Sequence, residues 1–118
     1  MLVQTRYGRA TEAPYALRWR RAGYAVAVLD TRGSTASFGP RDVDIGPDEI
    51  RDMDAIIAHV ASRPWSNGQV IASGVSYMAD TADMATSRHA PALRESTFAP
   101  PRELCRAREL QLPPNALL

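Results

Sequence analysis

The stretch of this chain whose residue types could do chemistry is Gly74-Val75-Ser76-Tyr77, set between the short strand pattern Gln69 to Ser73 and the Ala- and Met-containing helix pattern Met78 to Arg88. A serine hydroxyl is a poor nucleophile until the fold lifts it out and a base takes its proton. A sharp strand-to-helix turn does the lifting, and small residues around it let the backbone bend. The helix that follows points its first N–H groups at the place where a tetrahedral intermediate carries negative charge. Such a turn would serve acyl transfer from an ester or amide through a covalent Ser76 intermediate. The usual G-x-S-x-G spacing asks for a glycine where Met78 stands, with Ala79 next. By spacing alone, Ser76 is open to two readings, a nucleophile or an ordinary loop serine.

The remaining reactive residue types are scattered. His59 falls on the helix pattern before the turn and His89 follows the helix after it, where a histidine is usually solvated or capping. Asp80 and Asp83 lie within two turns of Ser76 on its own helix and read as helix-face charges. Asp30 and Arg32 read as a structural pair at a strand end, and Trp65 as a packing anchor. Cys105 is the only cysteine, which excludes an internal disulfide and a zinc site of the Cys-x-x-Cys type. All 14 basic residues are arginine, so the lysine of a phosphate-binding P-loop is missing. No G-x-G-x-x-G follows the first strand pattern, which argues against a dinucleotide site. The expectation is a chain with no cofactor and no metal.

The elements that must hold Ser76 follow from patterning. With 118 residues, 45% of them hydrophobic and 23% charged, the chain has the composition of one small globular domain. A net charge of +1, spread along the chain, gives no footprint for nucleic acid or an anionic membrane. Leu2 to Thr5 is a candidate strand and Thr11 to Arg21 a candidate helix stopping at Gly23. Tyr24 to Leu29 is the longest apolar run. It is far below the length of a membrane span, and its pattern predicts a parallel strand buried on both faces, in the middle of a sheet. Residues 31–47 form a long loop punctuated by Gly33, Gly39, Pro40, Gly46 and Pro47. Ile50, Met53, Ile56, Ile57 and Val60 then make one helical stripe, with Asp48 as the expected N-cap and Arg63-Pro64 as the stop. Ser66-Asn67-Gly68 is a turn, and Arg94 to Ala99 a further candidate strand. Strands alternating with helices predict a parallel α/β sheet of three to four strands. So few strands leave open edges, so the set reads as part of a larger sheet and a route to oligomers. The first residues lack the basic-then-apolar layout of a secretory signal, which makes a cytoplasmic location the default expectation.

Several blocks, taken in order, resemble one family. They are Arg21-Ala22-Gly23-Tyr24-Ala25-Val26, Asp30-Thr31-Arg32-Gly33 with Ala36-Ser37-Phe38-Gly39-Pro40, Asp48-Glu49, Arg63-Pro64-Trp65-Ser66-Asn67-Gly68 and Gly74-Val75-Ser76-Tyr77. Together they resemble the catalytic domain of the CocE/NonD serine hydrolases, which include X-Pro dipeptidyl-peptidases (peptidase S15), cocaine esterase and α-amino-acid ester hydrolases. The resemblance implies a partial α/β-hydrolase fold with a nucleophile elbow over residues 1–100, followed by a poorly matching tail, 101–118. It implies that Ser76 is the acyl-forming nucleophile and that the Tyr77 backbone N–H is one oxyanion donor. Tyr7, in Thr5-Arg6-Tyr7-Gly8-Arg9, matches the tyrosine whose hydroxyl is the second donor; read without the family it is a surface tyrosine at a strand end. Two positions depart from the family pattern: Arg6 stands where a proline often precedes the tyrosine, and Ala79 where a glycine often follows the serine. The family's catalytic Asp and His come well after the nucleophile, and the chain ends at Leu118 without a match to either. The expected substrate is a small acyl ester, amide or peptide, with little or no turnover by the isolated chain. The alternative is a non-catalytic remnant or interaction module that pairs through its open sheet edges.

Overall fold

The computed structural model describes residues 1–97. Seven elements follow one another: β1 (Leu2–Thr5), α1 (Ala13–Arg21), β2 (Ala27–Asp30), α2 (Pro47–Ala61), β3 (Val70–Ser73), α3 (Tyr77–Ser87) and β4 (Leu93–Thr97). The strand expected over Arg94 to Ala99 is β4, beginning one residue earlier; its last two expected residues, the tail and Cys105 lie outside the described residues.

Local chemistry explains most boundaries. Helix α1 starts at Ala13 rather than Thr11, because the Thr11 hydroxyl and N–H both turn back to the Gly8 carbonyl, at 2.7 and 2.9 Å. Arg18, Arg20 and Arg21 occupy its last turn, where cations meet the negative end of the helix dipole. Gly23, with φ of 88°, then ends it as expected. Helix α2 differs at its start. The N-cap is Gly46, with Pro47 opening the first turn, and Asp48 makes no cap bond. Its carboxylate is drawn instead to Arg32 and Arg51, while Glu49 reaches back to the Ile45 N–H at 2.8 Å. An ion pair with two arginines outcompetes a cap here.

All strands are parallel, in the order β2-β1-β3-β4. Leu2 pairs with Ala27 on one side and Ala72 on the other. Side chains alternate between two cores, as strand geometry requires. Leu2, Val70 and Ala72 meet Met53, Ile57 and Val60 of α2 and Ala82 and Ala85 of α3. Met1, Val26 and Ile71 turn to the other face and meet Trp19 and Tyr15 of α1. Trp19 is fully buried, edge-on to Tyr15 and Tyr24.

Two expectations change. Among the described residues the run Tyr24 to Leu29 does not sit mid-sheet: its strand portion, β2, is an edge of the four-stranded sheet and is only half-buried up to Asp30. Its apolar content reports contact with helices on both faces, whereas its rank in the sheet is set by the crossovers. Trp65 is not an anchor, since it is 54% exposed on the turn after α2. Among the described residues, no helix is long and apolar enough to cross a membrane.

The strand order locates the crevice. From β1 the chain moves to one side, to β2, and from β3 to the other, to β4. The loops leaving β1 and β3 therefore diverge at their carboxyl ends, which is where open α/β sheets form binding crevices. Arg6-Tyr7 leaves β1 at that point, and Gly74-Val75-Ser76 leaves β3.

Candidate active site

Ser76 occupies the N-cap of α3 with φ of 58° and ψ of −134°, a conformation that L-residues rarely adopt. Gly74 makes this turn feasible. A Cβ there would overlap Met78 Cβ and its backbone, so no larger residue fits between strand end and helix start. Met78, at the position where a glycine is usual, is buried against the sheet. The turn leaves Ser76 exposed and sets it over the first turn of α3, whose leading N–H groups have no helical acceptor.

Tyr7 reaches the same spot from the neighbouring strand. Its hydroxyl lies 3.3 Å from Ser76 Oγ, and the tyrosine is 42% exposed, so both hydroxyls face the crevice mouth. The Thr5 hydroxyl accepts the Tyr7 N–H at 3.1 Å, which tightens the chain as it leaves β1. The Tyr7 and Tyr77 rings meet edge to face at 6.2 Å. The Arg6 guanidinium covers both, 5.4 Å from the Tyr7 centroid and 5.0 Å from that of Tyr77, and is held there by an ion pair with Asp44. Arg6 thus provides a cation that spans the two tyrosines.

Beneath the surface, Tyr77 is almost fully buried, and its hydroxyl donates to the Glu49 carboxylate. The Thr31 hydroxyl lies 3.2 Å from the same phenol oxygen. Glu49 is 1% exposed and also receives the Gln4 side-chain amide at 3.5 Å. Burial pushes its carboxyl above the usual carboxylate range, opposed by the Ile45 N–H, Arg41 and Thr31, while Asp52 adds to the rise.

The long loop after β2 is pinned by charge. Asp30 and Arg32 do not pair with each other. Asp30 accepts the Arg9 N–H at 2.6 Å and its guanidinium at 3.3 Å. Arg32 forks onto Asp52 at 2.6 and 2.7 Å and reaches Asp48 at 3.2 Å. Arg32 lies two residues beyond the end of β2, where its guanidinium reaches α2, while Asp30 is taken by Arg9 in the loop after β1. Arg41 and Arg6 share Asp44.

Of the residues singled out in the sequence, Ser76, Tyr77 and Tyr7 come together. His59 and His89 are exposed, and neither bonds to Ser76, whose Oγ bonds to Tyr7 among the described residues. Asp80 and Asp83 are exposed on α3. Glu49, Thr31 and Arg6 were not singled out for roles. Glu49 carried a signal: it stands one turn before Met53, on the side of α2 that is otherwise apolar.

The family of the X-Pro dipeptidyl-peptidase, S15, is matched over residues 1–99. The chain belongs to the S15 family. Two relatives, each named "putative serine esterase", one from Mycobacterium bovis and one from Mycobacterium tuberculosis, are 42% identical to it over 77 residues. That stretch is 65% of this chain but 12% of each relative's length. No solved structure matches. The four-stranded parallel sheet with flanking helices is accordingly a partial α/β fold of an S15 serine hydrolase family member.

Proposed function

We propose that this chain carries the nucleophile and oxyanion elements of an S15-type serine hydrolase acting on acyl esters or amides. The observation that carries this reading is the 3.3 Å approach of the Tyr7 hydroxyl to Ser76 Oγ across two neighbouring strands, at a serine with positive φ. In the reaction, Ser76 Oγ attacks the acyl carbon and gives its proton to a base outside the described residues. The carbonyl oxygen becomes an oxyanion and takes hydrogen bonds from the Tyr7 hydroxyl and the Tyr77 backbone N–H. The alcohol or amine leaves with a proton, and water then releases the acid from Ser76. Residues 1–100 would form this hydrolase segment and 101–118 a tail.

Oxyanion donors alone retain part of the catalysis when other members of a triad are missing. With no base bonded to Ser76 among the described residues, the isolated chain should turn over p-nitrophenyl esters little, while the oxyanion donors leave Ser76 slowly reactive towards a fluorophosphonate. Intact mass would show one phosphonyl group per chain, absent from Ser76→Ala. A folded wild-type chain that stays unlabelled over the same period would refute the reading. The other reading, a non-catalytic module, draws on the lack of a base bonded to Ser76 among the described residues. It requires an unlabelled chain that self-associates on size exclusion.

A further inference from the structure

Glu49 lies on α2, outside the loop-and-turn pair that presents Ser76, and its burial needs an explanation. A carboxylate in an apolar interior is costly unless its oxygens are used. One oxygen takes the Ile45 N–H at 2.8 Å, which closes the start of α2 in the manner of a capping glutamate. A solvent-exposed residue could do that much. The other oxygen accepts the Tyr77 phenol and the Gln4 amide, and this bond ties α2 to the first residue of α3.

The Tyr77 ring is thereby held at both ends. Glu49 and Thr31 hold its hydroxyl, the Arg6 guanidinium lies over its ring, and the Tyr7 ring meets it in a T-shaped contact near the crevice. A ring so held fixes the position of its own Cα, and with it the direction of the Tyr77 N–H. The same ring braces Tyr7, the source of the second hydrogen bond. We propose that Glu49 is a positioning residue that aims both oxyanion donors by locking the Tyr77 side chain. This rests on the hydrolase reading above.

The test uses the 118-residue chain and two readouts: the rate of Ser76 phosphonylation by a fluorophosphonate, followed by intact mass, and the ¹⁵N–¹H resonance of the Tyr77 amide. Tyr77→Phe keeps the ring and removes only the hydroxyl; Glu49→Ala removes the acceptor; Glu49→Gln keeps an acceptor oxygen. Misplaced donors should slow labelling roughly tenfold or more in Tyr77→Phe and Glu49→Ala. The double variant should be no slower than either, because one link is being cut twice. Glu49→Gln should recover most of the rate, and the Tyr77 amide should shift in Glu49→Ala. Ile57→Val, which loosens the same side of α2 without touching Tyr77, should label at the wild-type rate. If Glu49→Ala does not fold, Tyr77→Phe alone decides. A labelled wild type with an unchanged rate in Tyr77→Phe overturns the positioning role only. An unlabelled, folded wild type overturns the hydrolase reading and the positioning role with it.

Discussion

Replacing Ser76 by glycine should stabilise the protein relative to replacing it by alanine. At φ of 58° and ψ of −134°, Ser76 holds a conformation that costs a residue with a Cβ about 1–3 kcal/mol. Alanine keeps the Cβ and hence the cost. Glycine relieves it but gains freedom in the unfolded chain, which offsets about 0.4–1 kcal/mol. Both variants lose the same hydroxyl contact with Tyr7, so that loss cancels in the comparison. The glycine variant should therefore be more stable by about 0.5–2 kcal/mol. For a domain of this size that is a rise of roughly 4–8 °C per kcal/mol in Tm, or of several tenths molar in the urea midpoint. Urea unfolding followed by tryptophan fluorescence suits the comparison, because Trp19 is fully buried and will report loss of the core on the α1 face. A glycine variant no more stable than the alanine variant would show that the turn stores no strain at Ser76.

Gly74→Ala should act in the opposite sense, losing about 3 kcal/mol in the same urea assay, since its methyl group would overlap the Met78 backbone; a loss below about 1 kcal/mol would contradict the tight strand-to-helix approach. Tyr7→Phe should lower the rate of Ser76 phosphonylation by about a hundredfold, the usual effect of one lost oxyanion donor, with unchanged thermal stability; wild-type labelling would remove Tyr7 from the site. The pH dependence of stability should carry the mark of Glu49. Its folded-state pKa is raised above the ordinary 4.5, so the folded protein binds the extra proton and loses stability as pH climbs from 4.5 through the folded value. Glu49→Gln does not titrate, so wild type minus Gln variant, measured by urea unfolding at about pH 4 and about pH 7, should be more favourable at the lower pH. The reverse order would mean that the network stabilises the ionised form.

Much of the scaffold is written locally. The stripe Met53, Ile57 and Val60 becomes the buried side of α2, and Gly23 ends α1, because helical spacing and left-handed backbone conformations are properties of short stretches. Local rules fall short where a side chain has a choice of partners. Asp48 has the chemistry of an N-cap, yet two arginines claim it, one of them 16 residues away on the loop after β2. Asp30 and Arg32, neighbours in sequence, take partners on different elements for the same reason.

The candidate site divides along the same line. The sequence by itself determined that a tight strand-to-helix junction stands at Ser76: Gly74 between a strand pattern and a helix pattern marks it, and the close approach of Met78 to Gly74 and the positive φ of Ser76 are local to five residues. Only the tertiary structure decided what that serine faces. Tyr7 is 69 residues away along the chain and comes within 3.3 Å because β1 and β3 are neighbours in the sheet. Glu49 finds Tyr77 because α2 and α3 share one face. The rank of a strand and the side on which a helix packs follow from how several apolar surfaces are buried at once, and no window of neighbouring residues contains that information.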